Sequence, residues 1–303
     1  MKFRVSFTNT PLNCKGRNNQ WTSSLRRFFD RLKRCVFMAI NDHIHLRCAM
    51  LHNLEMTSLI TSLLFASTLA DSSEDRKEFN FTSYDENFAK RIMLPVSAAA
   101  YAKDAHAIET CLKNAIGNVT DVYQYSYPCQ NGQCSGYVAK LPEYGAIIIG
   151  FRGTQTVNQL LQQGIDGIFK SWSRWDYGGN VLFYFHDVFH TLWGKIENHF
   201  YNYVHQQPGW DVWISGHSLG GALATLATSY LVEEYKLEPE KVKLVTFGQP
   251  RVGNRVFAER FDARNLYAYR LVHARDLVPG ILKTGYWHQG GEVIDSSLSC
   301  FQL

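Results

Sequence analysis

The sequence predicts an α/β domain with a mainly parallel central sheet flanked by helices. Short apolar runs typical of strands, at 146–151, 212–215, 242–247 and 267–273, alternate with helical patterns. The run at 146–151 is apolar throughout, as expected of a strand that is buried on both faces. In such sheets the functional residues lie at the carboxyl ends of the strands.

A G-x-S-x-G pentapeptide follows the strand at 212–215, and an Ala- and Leu-rich helical pattern comes next. So sharp a turn from strand to helix needs small residues around its strained centre, and Gly216 and Gly220 provide them. Ser218, at the centre, is predicted to present its hydroxyl outward as a nucleophile. The N–H of Leu219 would lie free at the helix N-terminus and stabilise an oxyanion. The alternative is a glycine-rich turn with a non-catalytic serine.

Two further helical segments are predicted from residue periodicity. Residues 88–101 read as a helix with small residues on one face. Apolar residues recur at every fourth position across 185–207, which predicts an amphipathic helix. The stretch 155–180 is apolar without clear periodicity, and it fits either a mobile lid beside the nucleophile or a packed loop and helix.

A hairpin closed by a disulfide is predicted between two short strands at 123–127 and 137–140. An Asn-Gly dipeptide, a strong tight-turn signal, lies between them. Cys129 and Cys134 flank this turn and are the only local pair among the four cysteines outside the N-terminal part, which allow three pairings. The other two would pair with each other or stay unpaired: Cys111 and Cys300.

The charge is unevenly distributed along the 303 residues, whose net charge is +4. Residues 1–55 carry ten Lys or Arg and three Asp or Glu, whereas 56–70 carry none and the remainder carries 21 and 24. The basic excess therefore belongs to the N-terminal part, and no nucleic-acid partner is predicted from it. A hydrophobic fraction of 46% is ample for a buried core.

The N-terminal part is predicted to lie outside the folded domain, which is assigned to 83–303. Residues 1–55 are interpreted as a disordered extension from an overextended gene model, or alternatively as a basic membrane-surface or targeting segment. Residues 56–70 hold an apolar core of signal-peptide length before small residues typical of a cleavage site, although a buried helix is the alternative. Translation from near Met56 would make the protein secreted. Two glycosylation sequons belong to the same expectation: Asn80 and Asn118.

Four stretches together resemble the class 3 (fungal-type) triacylglycerol lipase family of the α/β-hydrolase superfamily. They are FRGT at 151–154, GHSLGG at 216–221, TFGQPRVG at 246–253 and RLVHARDLVP at 270–279. The resemblance covers about 83–292. It implies an α/β-hydrolase fold and a serine hydrolase of lipid esters that needs no metal or other cofactor. Its partners would be a lipid ester substrate and, transiently, a lipid–water interface.

The resemblance also assigns roles to individual positions. Ser218 corresponds to the nucleophile, and Asp276 to the acid that orients the catalytic base. Thr154 corresponds to an oxyanion-hole residue that acts together with the N–H of Leu219. The residues alone do not single out Thr154, and they allow Asp276 to be a helix cap or turn residue equally well.

The C-terminal part departs from the family pattern. The family's base is a histidine in an Asp-His-x-x-Tyr-like stretch near the C-terminus, which we interpret as missing here through truncation. His288 matches a different, non-catalytic family histidine and is the best substitute base among those in the matched region. We therefore expect the chain as written to be severely impaired as an enzyme. The alternative function is a non-catalytic lipase-like protein that binds lipid or a partner.

Overall fold

A computed structural model describes residue 79 and residues 81–129, 132–153, 171–273 and 276–295. The strands are β1 (Thr120–Cys129), β2 (Gly132–Leu141), β3 (Ala146–Phe151), β4 (Trp172–Arg174), β5 (Asn180–Leu182), β6 (Asp211–His217), β7 (Val242–Phe247), β8 (Tyr267–Val272) and β9 (Gly291–Ile294). A π-helical segment (Phe88–Met93) runs into α1 (Leu94–Ala99), and the other α-helices are α2 (Ala105–Ala115), α3 (Phe183–Gln206), α4 (Leu219–Glu234) and α5 (Arg255–Asp262). Within these residues, no helix combines the length and apolar character needed to cross a bilayer.

The central sheet has seven strands in the order β1-β2-β3-β6-β7-β8-β9. The pairs β1–β2 and β2–β3 are antiparallel, whereas β3, β6, β7, β8 and β9 run parallel to one another. The register pairs Phe151 with Gly216 at the ends of β3 and β6, and Phe247 with Leu271 at the ends of β7 and β8. The carboxyl ends of the parallel strands therefore meet at one edge of the sheet.

Helices cover both faces of this sheet, as the continuously apolar strands require. Along β3, Ile147 and Ile149 pack into the core beneath α3 and α4, whereas Ile148 packs into the core beneath the π-helical segment, α1 and α2. Both β3 and β7 are buried along their whole length. Burying one large aliphatic side chain stabilises the fold by about 1.5–3 kcal/mol, so each face contributes many such increments. The predicted α/β architecture with a mainly parallel sheet is confirmed.

The predicted elements match the structure in type and differ mainly at their ends. The strand at 146–151 and the helix across 185–207 are confirmed as β3 and α3. The hairpin strands are longer than predicted, because β1 and β2 continue to the turn itself. The helix expected at 88–101 is two segments, since it begins as a π-helix before Pro95. Sequence periodicity missed α2, α5, β4, β5 and β9.

Two local expectations can be compared with the structure. Cys129 and Cys134 form a disulfide across the hairpin, with their Cα atoms 5.7 Å apart, and Cys111 is buried. In the described end of the candidate lid, residues 171–180, Trp175 is packed: it is only 2% exposed and donates a 3.0 Å hydrogen bond from Nε1 to Ser229 Oγ. Residues 1–78, 154–170 and Cys300 lie outside the described residues, and with them the predicted extension, the signal-like segment and most of the candidate lid.

Candidate active site

Ser218 lies on the turn between β6 and α4 in a strained backbone conformation. Its φ of 55° and ψ of −123° are rarely adopted by a residue with a side chain. The turn is held from two sides, because the Ser218 N–H donates to Phe247 O at 2.9 Å and the Gly221 N–H donates to Ser218 O at 2.9 Å. Only 4% of Ser218 is exposed, and within the described part of the chain its hydroxyl has no hydrogen-bond partner. This is the geometry that the pentapeptide predicts.

Close backbone approach explains the two glycines of the pentapeptide. A Cβ on Gly216 would lie 2.2 Å from Gly220 O, and a Cβ on Gly220 would lie 2.1 Å from Phe151 O. Both distances are far inside van der Waals contact. The glycines therefore let β6 turn into α4 while α4 begins directly against the end of β3.

The N-terminus of α4 supplies a free donor next to the nucleophile. Leu219 is the first residue of the helix, so its N–H has no acceptor within the helix. The partial positive charge of a helix N-terminus adds to the attraction for a developing oxyanion. Thr154 lies outside the described residues, but the preceding Gly153 is close to the same turn: a Cβ there would lie 2.4 Å from His217 O. The segment that carries Thr154 thus begins beside the nucleophile.

Asp276 follows β8 and faces the residues that follow β6 and β7. Its Oδ1 accepts a 2.9 Å hydrogen bond from the Val278 N–H, so it does have the turn role that the residues alone allow. Its Oδ2 lies 2.6 Å from where a Cβ on Gly248 would be, and His217 Nε2 lies 3.6 Å from that same point. Burial raises the pKa of the Asp276 carboxyl, which the Val278 hydrogen bond and the positive charge of His273 oppose. One carboxylate oxygen therefore remains available on the nucleophile side of the sheet edge.

His217 and His288 are both partly buried, in environments that disfavour a positive charge. The Nδ1 of His217 lies 2.9 Å from the Tyr101 hydroxyl, and burial lowers its pKa to about 4. His288 donates from Nε2 to Pro279 O at 2.9 Å. Burial and the nearby positive charge of Arg270 lower the pKa of His288 to about 3.

These contacts make His288 a poor base, although they do not test its role directly. An imidazole with a pKa near 3 binds a proton weakly at neutral pH. Its Nδ1 is buried, and within the described residues no hydrogen bond joins it to Ser218 or Asp276. That His288 acts as the substitute base thus remains a prediction, and its surroundings disfavour it. Within the same part of the chain, no group of three or more His, Cys, Asp or Glu side chains is arranged to hold a metal ion.

Sequence reasoning missed Tyr101, which contacts two segments of the site. Its hydroxyl lies 2.9 Å from His217 Nδ1 and only 2.4 Å from where a Cβ on Gly153 would be. No local pattern marks a tyrosine at the end of a short Ala-rich helix as part of a site whose other members are far along the chain. Only the packing of α1 against β3 and β6 brings it there.

Comparisons with known proteins agree with this arrangement. The sequence model of the family described as Lipase (class 3) matches residues 148–285, which include Ser218 and Asp276. A lipase of Caenorhabditis elegans is 35% identical over 201 residues, 65% of this chain and 55% of the relative. A lipase of Rhizopus niveus is 33% identical over 169 residues, 52% of this chain and 41% of the relative.

A solved structure gives the same result for the fold. The crystal structure of a lipase from Rhizopus microsporus var. chinensis matches with a TM-score of 0.58 and 26% identity. The match covers 67% of this chain and 71% of that one. The chain spans about half the length of the curated relatives it matches, with 55% and 41% of the two lipases covered.

Proposed function

The chain belongs to the class 3 lipase family and has the α/β-hydrolase fold, and we propose that it is a serine hydrolase of lipid carboxylic esters. The observation that carries the proposal is the strained Ser218 at the β6–α4 turn, beside the free N–H of Leu219. A strained nucleophile next to a preorganised donor is the arrangement that acyl transfer requires.

The chemistry would proceed through an acyl-enzyme. Ser218 Oγ attacks the ester carbonyl carbon while its proton passes to a histidine oriented by Asp276. The tetrahedral oxyanion is stabilised by the Leu219 N–H and by Thr154. When the intermediate collapses, the C–O bond of the ester breaks and the histidine returns the proton to the leaving alcohol. A water molecule then attacks the acyl-enzyme by the same route, releasing the carboxylic acid and regenerating Ser218.

A nitrophenyl alkylphosphonate tests the nucleophile directly. Attack by Ser218 forms an O–P bond and releases nitrophenol, so the protein gains the mass of the phosphonyl group and the colour of nitrophenolate appears. We expect slow labelling of the wild-type chain, because no strong base is identified in it, none of Ser218→Ala, and the wild-type rate for Ser229→Ala, a buried serine on the same helix. Wild-type protein that neither labels nor hydrolyses nitrophenyl acyl esters would favour a non-catalytic binding protein.

We further propose that the rim beside Asp276 contacts the lipid–water interface. Leu277 is 71% exposed although it is a large aliphatic residue, and it directly follows Asp276 at the carboxyl edge of the sheet. Trp172 is 41% exposed and stacks on Tyr286, with ring centroids 4.0 Å apart. Exposed Trp and Leu side chains near a site are suited to shallow insertion into an apolar surface.

A pair of surface variants tests this contact. We expect Leu277→Ser to lower hydrolysis of an emulsified ester several-fold while hydrolysis of a soluble nitrophenyl acetate is unchanged, since only the former needs surface binding. Tyr201→Ser removes an equally large exposed side chain from α3 and is the control. Equal losses on the two substrates would contradict the interfacial role of Leu277.

We also propose that the protein is secreted. The Cys129–Cys134 disulfide fits an oxidising compartment, and Asn118 of the second sequon is exposed as glycosylation requires. N-terminal sequencing of protein from the medium of expressing cells tests this, with a mature chain that starts near Asp71 expected. Retention of the whole chain inside the cells would contradict it.

A further inference from the structure

Tyr101 lies between two segments that belong to different strands of the sheet. Gly153 comes two residues after the end of β3, and His217 is the last residue of β6, directly before Ser218. The Tyr101 hydroxyl lies 2.9 Å from His217 Nδ1 and directly against Gly153. The segments are also in direct contact, since a Cβ on Gly153 would lie 2.4 Å both from His217 O and from the Tyr101 hydroxyl. No side chain larger than hydrogen fits at Gly153.

The Tyr101–His217 hydrogen bond can be assigned a direction at neutral pH. Burial lowers the pKa of His217 to about 4, so its ring is neutral and one of its two nitrogens accepts. With the Tyr101 O–H as the donor to Nδ1, the ring proton sits on Nε2. That nitrogen lies on the side of the ring nearest Gly248, which Asp276 Oδ2 also approaches.

The ring of Tyr101 is held in place independently of its hydroxyl. The guanidinium of Arg152 lies 5.7 Å from the ring centroid, a cation–π contact at the end of β3. Arg152 itself is buried and donates from Nη1 to Gln133 Oε1. Removing only the hydroxyl should therefore leave the ring where it is, which makes the hydroxyl's role separable from the packing of the side chain.

We propose that Tyr101 is a positioning residue that fixes the oxyanion segment and the nucleophile turn relative to each other. The inference rests on the proposed hydrolase function, in which Thr154, after Gly153, and Leu219, after Ser218, must face the same oxyanion. If one of these donors is displaced by a fraction of an ångström, its hydrogen bond to the oxyanion in the transition state is weakened more than substrate binding is. Tyr101 touches neither the substrate nor the reacting atoms. It acts through Gly153 and His217.

The variant Tyr101→Phe tests the proposal against Tyr137→Phe. Tyr137 is the control because its hydroxyl makes one hydrogen bond, to Val96 O at 2.8 Å, on the helix that precedes Tyr101. Tyr137 is fully buried and Tyr101 partly buried, so a general loss of stability should be at least as large in Tyr137→Phe. We expect only Tyr101→Phe to lower kcat for a soluble nitrophenyl ester, by about tenfold with KM little changed, and to slow phosphonate labelling of Ser218 equally.

Histidine ¹⁵N spectra give a readout that does not depend on activity. In the wild-type chain we expect His217 as the Nε2–H tautomer. In Tyr101→Phe its titration midpoint should rise by on the order of half a pH unit, because the neutral ring loses its donor. The charged and titratable groups close to this ring are Tyr101, Asp276 and Arg152.

The two measurements separate the possible failures. An unchanged His217 tautomer and midpoint in Tyr101→Phe, or an equal loss of kcat in Tyr137→Phe, would overturn the positioning role. Absence of hydrolysis and labelling in the wild-type chain would instead overturn the proposed function, and the spectra would then still decide whether Tyr101 holds His217.

Discussion

The β6–α4 turn and the connection between β8 and β9 lie at the same edge of the sheet but are built differently. The turn is defined by its backbone: the strained conformation of Ser218, the N–H of Leu219 at the helix start, and the close packing at Gly216 and Gly220. In the β8–β9 connection, polar side chains are engaged by their own loop. There Asp276 Oδ1 accepts from the Val278 N–H, and His288 donates to Pro279 O.

This difference separates the β6–α4 turn, whose backbone is preorganised for the proposed chemistry, from the β8–β9 connection, where Asp276 would still require a catalytic base to orient. The proposed nucleophile and one proposed oxyanion donor are positioned by local backbone geometry, which is stiff and needs no distant partner. Among the described residues, Asp276 Oδ2 has no hydrogen-bond partner, whereas His288 is partly buried beside a positive charge and has a pKa of about 3. Asp276 therefore fits the proposed role of orienting a base, and the surroundings of His288 favour a structural role.

The largest effect is expected at Asp276. In Asp276→Asn the negative charge is lost while an amide oxygen can still accept from Val278, so the turn should survive. If Asp276 orients the base, ester hydrolysis should fall by roughly a thousandfold or more. The measurement is kcat/KM on a nitrophenyl ester, with circular dichroism to verify the fold.

Asp262→Asn is the matched control for Asp276→Asn. Asp262 is more exposed than Asp276, but its pKa is also raised and its Oδ1 likewise accepts from a backbone N–H, that of Gly290 at 2.7 Å. It lies on α5 and has no contact with the nucleophile turn among the described residues. Similar activity losses in both variants would mean that Asp276 has a structural role only.

An intermediate effect is expected at the glycine that lets α4 begin against β3. In Gly220→Ala the new Cβ would meet Phe151 O at 2.1 Å, and backbone must shift to relieve the clash. We expect the free energy of unfolding to fall by about 2 kcal/mol and phosphonate labelling to slow about tenfold or more. Urea denaturation and labelling rates measure these, with Gly280→Ala as control because nothing lies within 4 Å of its added Cβ. Labelling of Gly220→Ala at the wild-type rate would refute the preorganised turn.

The smallest effect on activity is expected at His288, whose effect on stability depends on pH. Folding lowers the pKa of His288 from its ordinary 6.5 to about 3, so the unfolded chain binds more protons between these values. Its contribution to stability is therefore full above about pH 6.5 and is lost as the pH falls toward 3, by up to about 1.4 kcal/mol per pH unit. In His288→Gln, which keeps a donor for Pro279 O, the free energy of unfolding should change less between pH 6 and pH 4.

The same variant tests the substitute-base prediction. Full hydrolytic activity of His288→Gln at pH 7.5 is expected if His288 is structural. Activity that is abolished in the folded variant would instead identify His288 as the base. Urea titrations at each pH confirm that the protein compared is folded.

Contacts between residues close in sequence could be predicted. The Ser218 turn is encoded by the pentapeptide, because each glycine is required by a backbone atom of a neighbouring turn or strand. The Cys129–Cys134 disulfide follows from a five-residue separation across a tight turn. Likewise β3 is apparent from six consecutive apolar residues that are buried on both faces of the sheet. In each case the signal and the structure lie within the same short segment.

Contacts between distant segments were decided by the tertiary structure alone. The sequence by itself determined the strained Ser218 turn, the helix start at Leu219 and the parallel sheet, because local backbone sterics and residue periodicity specify them. It contains no signal that Tyr101 meets His217 across 116 positions, or that Asp276 comes to lie against Gly248. Those contacts arise because α1 packs on the sheet and parallel strands align their carboxyl ends. They depend on the summed burial of both cores, which no single stretch of residues encodes.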